Sequence, residues 1–184
     1  MLTERFPKAP DVVTLQLERL DRKARGTGED QAGFDLSQVP CPWLPSDCGN
    51  ELLVELLVWC DAVAAWINRE CVWRPQQMIP ACWPQHPHLV RELALLAILR
   101  YQAEQAKDVI KVYLWHHDVL TGFLNRVNDR LGTSTCQNTG THQEWPGAPR
   151  YSAFTSEHAV AERSKLFRQE TAHQPWEVTE GAVN

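Results

Sequence analysis

From Asn50 to Leu131 apolar residues recur every three or four positions, and proline is confined to one stretch between Pro75 and Pro87. That period is the one a helix shows when it buries a face, so the middle of the chain reads as helical and as the core. Leu52/Leu53, Leu56/Leu57, Cys60, Val63/Ala64 and Ile67 mark a helix over about 50–69, with Asn50 as its candidate N-cap. Val54, Val58, Trp59, Ala62 and Trp66 lie on the other side, an apolar arc too wide for a helix resting on one neighbour.

Residues 71–85 hold Pro75, Pro80 and Pro84 and read as an irregular connection. Pro87 suits the first turn of the next helix, where its missing N–H would have no partner anyway, and His86 precedes it as a candidate cap. That helix, apolar all round from Leu93 to Leu99, is expected to be the most buried element. A cleaner stripe occupies 108–131: Ile110, Tyr113/Leu114, His117, Leu120, Leu124, Val127 and Leu131. No Pro or Gly separates Pro87 from Gly122. A turn at Lys107–Asp108 is favoured all the same, because an unbroken rod of about 65–70 Å, at 1.5 Å per residue, would need partners along its whole length.

The flanks are polar. Residues 1–49 form an N-terminal arm with one short helix, Asp11 as its cap and Val13, Leu17, Leu20 and Ala24 on its stripe, then a Pro/Gly-rich linker. Residues 143–184 form a polar tail with one helical candidate running from Ser156 through Val160, Leu166 and Phe167. The expected fold is all-α: a small bundle of three or four helices over 50–142, with a tryptophan-rich core and flexible termini. Of the eight tryptophans, Trp59, Trp66, Trp73, Trp83 and Trp115 fall in or beside the core segments, where packing is the plain reading.

Several function classes are disfavoured. A net charge of -5 leaves no basic footprint for nucleic acid. The longest apolar run, Leu93 to Leu99, is far shorter than the roughly 20 residues a bilayer demands, so no membrane span is expected. Met1 to Lys8 carries charges and a proline where a signal peptide needs an apolar run, which points to a cytoplasmic protein. The six cysteines then read as thiols, with Cys60 a small buried hydrophobe. Phosphate loops, dinucleotide fingerprints, a nucleophile elbow and the H-E-x-x-H pattern are absent from the sequence, and a hydrolase built on the histidine-rich helix has little support.

Two places remain for chemistry. Cys82 and His86 sit at the mouth of a helix, whose positive end should lower the thiol pKa and keep the imidazole neutral. If the last two core helices form an antiparallel hairpin, Cys136 and His142 return to that same end. Two Cys and two His make an acceptable tetrahedral set for a structural zinc. Packing and capping, the plainer reading of the same four residues, carries more weight at this level. The other place is Trp115-His116-His117-Asp118, whose members diverge by about 100° each around a helix. His117, on the core stripe, is expected to be buried and hydrogen-bonded, and His116 too far along the helix to join the metal set.

Trp83-x-x-His86-Pro87, the leucine-rich segment from Leu89 to Leu99, Trp115-His116 and Cys136 together resemble an uncharacterised family of small helical proteins. Its members are encoded by actinobacteria and their plasmids, integrative elements and phages. The resemblance spans roughly residues 52–142 and implies a mobile-element setting, with no catalytic role for His86, His116 or Cys136. The sequence therefore favours a noncatalytic intracellular interaction protein with an unknown protein partner or a self-associating one. The alternative is a zinc-stabilised nucleic-acid-associated regulator.

Overall fold

The computed structural model describes residues 3–24 and 40–172. Among the described residues there is no strand, and the architecture is all-α. The helices are α1 (Asp11–Ala24), α2 (Asn50–Glu70), α3 (Pro87–Gln105), α4 (Val109–Leu114), α5 (Thr121–Leu131), α6 (Thr135–Asn138), α7 (Ala148–Thr155) and α8 (Glu157–Ala172). That is more than three or four, yet four rods carry the core: α1, α2, α3, and α4 joined to α5 through a π-helical turn, Trp115–Leu120. The chain divides into two compact units, Met1–His142 and Gln143–Asn184. Most of the linker expected over 25–49 lies outside the described residues, as does the tail from 173 onward.

α2 buries Leu56, Cys60, Val63 and Ile67 on its stripe, as its spacing requires. Gly49, and not Asn50, occupies the N-cap position, with its carbonyl accepting from Leu53 N at 2.9 Å. α3 buries Leu93, Ala94, Leu96, Ala97 and Ile98, but Leu95 and Leu99 face outward, so it is not covered all round. Val54 and Val58 of α2 are likewise exposed. The broad arcs of both helices thus exceed what the bundle covers.

Four of the tryptophans expected at the core are buried, and each donates its indole N–H, which a ring removed from water needs to do. Trp115 donates to Leu96 O at 2.9 Å and Trp83 to Asp61 Oδ1 at 3.0 Å. Trp59 donates to Pro7 O and Trp66 to Glu4 O, so two rings on α2 hold the segment before α1 against the bundle. Phe6 of that segment lies edge-on to Trp66 at 5.2 Å, and Val13 of α1 is wholly buried. Trp73 differs: it is 94% exposed and fills no core space.

α3 ends where its length alone demands a turn. Lys107 has a φ of 51°, a left-handed conformation that stops the helix, and Asp108 caps α4 by accepting from Ile110 N at 2.9 Å. The chain then runs back along α3, where Glu92 receives both Arg126 and Arg130 of α5.

The stripe assigned to 108–131 is correct only in its second half. Leu120, Leu124, Val127 and Leu131 are buried, whereas Ile110, Tyr113, Leu114 and His117 are exposed. The cause is the π-helical turn, in which i→i+5 bonding adds one residue to a turn and rotates everything before it relative to everything after. Trp115 and Leu120, five apart, both face the core as a result.

The second unit is a helical pair. Ser156 caps α8 through Oγ, which accepts from Ala159 N at 3.3 Å, in agreement with the sequence. Arg163 of α8 lies over the Phe154 ring of α7 at 3.8 Å. α7 has no counterpart in the sequence reading, and none of its residues is buried.

Candidate metal centre

The irregular connection before α3 is pinned to α2 at two points. Asn68 brackets Ile79, donating to its carbonyl at 2.9 Å and accepting from its N–H at 2.8 Å. Trp83 reaches Asp61 four residues later. Cys82, between these anchors, precedes a 3-10 turn, Trp83–Gln85, that leads to His86 at the N-cap of α3. His86 makes no side-chain cap bond; its carbonyl receives Leu89 N instead. Its ring is thereby free to face the two cysteines.

The other two residues arrive from the far end of α5. Ser134 Oγ donates to Leu131 O at 2.6 Å as the chain turns into α6, which carries the buried Cys136. Gln137 donates to Met78 O, joining α6 to the pinned connection. Gly140 takes a φ of 71°, a left-handed bend that glycine adopts without strain, and Thr135 Oγ1 donates to Thr141 O at 2.9 Å. Together these fold the chain back and deliver His142.

The donor atoms of Cys82, His86, Cys136 and His142 lie within 4.8 Å of one another, and the group can hold a metal ion. His86 Nε2 is 3.5 Å from both Cys82 Sγ and Cys136 Sγ, and the His86 and His142 rings are 4.9 Å apart. Bonds of about 2.3 Å to sulfur and 2.0 to 2.1 Å to nitrogen in a tetrahedron put neighbouring donors about 3.3 to 3.8 Å apart. The two separations from His86 Nε2 to the cysteine sulfurs already have that value.

Local electrostatics support the fit. Burial pushes the Cys82 thiol above its ordinary pKa, and the neighbouring Cys136 thiol pushes it further. The direction is opposite to the lowering expected from the helix end, with desolvation the largest cause. Burial, then His142 and His88, lower the His86 pKa and keep its ring neutral, as a ligand must be. His142 Nδ1 is buried without a hydrogen-bond partner, a costly state for a ring nitrogen unless something binds the cluster. A divalent cation would invert the thiol preference by stabilising both thiolates.

The histidine-rich helix contributes nothing to this site. His117, expected to be buried, is exposed and stacks on Tyr113 at 4.1 Å, because the π turn carries it off the core side. His116 instead lies 2.8 Å from a nitrogen of the Arg100 guanidinium, a group that also sits over the Trp115 and Phe6 rings. His88, with Nε2 buried and unpartnered and its ring 5.7 Å from that of His86, borders the site and carries no signal in the sequence.

An all-α protein with a closed Cys2His2 donor set is the class that fold and site define. Compared with family models, curated proteins and solved structures, the chain matches none of them. No helix among the described residues is long and apolar enough to cross a membrane.

Proposed function

We propose that this is a noncatalytic interaction protein whose helical core is clamped by one structural zinc ion on Cys82, His86, Cys136 and His142. The observation that carries the reading is the completeness of the donor set: four protein ligand atoms lie within 4.8 Å of one another, the number a tetrahedral site needs. Catalytic zinc sites instead keep a position open for water or substrate. Two thiolates and two imidazoles are also the ligand chemistry zinc favours over harder cations.

The interaction role draws on what the bundle leaves uncovered. α4 buries none of its side chains, and Val109, Ile110, Tyr113 and Leu114 are all exposed on it. A contiguous apolar helix face of that kind suits protein association, whether with another protein or a second copy. The mobile-element setting implied by the sequence resemblance belongs to the same proposal. Nucleic-acid association has weaker support, since Arg126 and Arg130, the turn-spaced basic pair, are both engaged by Glu92.

The test is elemental analysis of full-length protein purified without a metal-affinity tag. One zinc per chain is expected, falling to none in Cys136→Ser. Free zinc at a hundredfold excess over Kd should add about 2.7 kcal/mol to stability, seen as a rise in Tm that a chelator reverses. Protein without zinc whose Tm ignores both zinc and chelator contradicts the proposal.

A further inference from the structure

We propose that the centre is redox-releasable: a hydroperoxide converts Cys82 and Cys136 into a disulfide, expelling the metal and freeing His86 and His142. This rests on the zinc reading above. The two sulfurs come from positions far apart in sequence, yet they lie within 4.8 Å of each other and share one histidine nitrogen, His86 Nε2, at 3.5 Å. All four donor atoms lie within 4.8 Å, so an S–S bond of about 2.05 Å requires a movement of at most about 2.7 Å.

Access is unequal in the sense the reaction needs. Cys82 is half-buried, so a small peroxide reaches it, while Cys136 is buried, 4% exposed, and is shielded from the oxidant. The metal holds both as thiolates, the nucleophilic form. Cys82 thiolate attacks a peroxide oxygen and the O–O bond breaks, leaving a sulfenic acid on Cys82 and an alkoxide or hydroxide that takes a proton from solvent. Cys136 thiolate then attacks the Cys82 sulfur, forming the S–S bond and expelling hydroxide, which takes the second proton. With hydrogen peroxide, two thiolates, one peroxide and two protons become one disulfide and two waters, the sulfurs losing two electrons to the peroxide. A disulfide no longer offers anionic sulfur, and two imidazoles alone hold zinc weakly.

The remaining thiols form a built-in comparison. None of the six cysteines is in a disulfide, and Cys60 is wholly buried, too shielded to compete. Cys48 lies near Cys41, its sulfur 3.8 Å from the Cys41 carbonyl, so that pair is the competing disulfide to be mapped. Covalent linkage of Cys82 and Cys136 keeps α6 tied to the connection before α3. His142, without metal, loses its anchor.

The experiment treats zinc-loaded full-length protein with hydrogen peroxide, follows zinc with a colorimetric chelator and maps disulfides by mass spectrometry of unreduced digests. One zinc released per Cys82–Cys136 disulfide is expected, reversed by dithiothreitol plus zinc and unchanged in Cys41→Ser/Cys48→Ser. Zinc retained while peroxide is consumed overturns the inference but not the zinc reading. So does zinc lost with the pair unlinked, whether through a Cys41–Cys48 disulfide or a Cys82 sulfinic acid. A chain that takes up no zinc at the outset defeats the zinc reading and the release step with it.

Discussion

His116 shows how much one side chain depends on its neighbours. Arg100 carries only donors, so the bond at 2.8 Å requires His116 Nε2 to accept, with the ring neutral. Burial, then Arg100 and His117, hold its pKa below 6.5, so the unfolded chain takes up the proton before the folded one does. Stability from this group is therefore complete above about pH 6.5 and declines as pH falls through that value toward the lower folded-state pKa. His116→Gln keeps an acceptor without titrating. Melting curves between pH 5 and pH 8 should show wild type losing Tm relative to His116→Gln on the acid side, and parallel curves would refute the assignment. Sequence spacing separates His116 from the metal set correctly but selects His117 as the buried histidine. Cys60 is readable without tertiary knowledge: an apolar stripe position, found wholly buried with its thiol pushed up to about 12 by desolvation.

At the level of elements, the turn at Lys107–Asp108 and the π turn are the two decisive features of the second half of the core. The first is legible from length alone, although no glycine marks it and a lysine takes the left-handed position. The second is not, because an inserted residue alters phase without altering composition. Asp118 is exposed within the π turn, and deleting it would place Trp115 and Leu120 four apart, the ordinary spacing for a shared face. That deletion should cost little. Deleting Asn125, exposed in the regular part of α5, should cost several kcal/mol by rotating Val127 and Leu131 out of the core at about 1.5 to 3 kcal/mol each. Thermal denaturation of the two variants checks the contrast, and equal losses would refute it. α7 escapes sequence reading for a different reason: a helix that buries none of its residues leaves no apolar period to read.

At the scale of the whole molecule, the metal candidate is a clasp across the two ends of the α3–α5 hairpin. It ties the start of α3 to the segment after α5 and closes at His142, the last residue of the first compact unit. A chain ending at residue 142 should therefore bind zinc with the full-length stoichiometry and melt within a few degrees of the full-length first transition. Differential scanning calorimetry with zinc analysis tests this, and loss of zinc or of cooperative melting would show that the first unit depends on residues beyond His142. The sequence by itself determined the all-α class, the main rods and the place of the reversal, and named the four Cys/His residues that would meet beyond it only as the less favoured of two readings. Those arise from periodicity, proline placement and helix length, which act locally or add up along a line. Only the tertiary structure decided which side of α4 faces outward, which histidine is held by Arg100, and that burial and a second thiol raise the Cys82 pKa. Each of these depends on the angular phase of one rod against another or on desolvation by distant segments, and neither is written in local spacing.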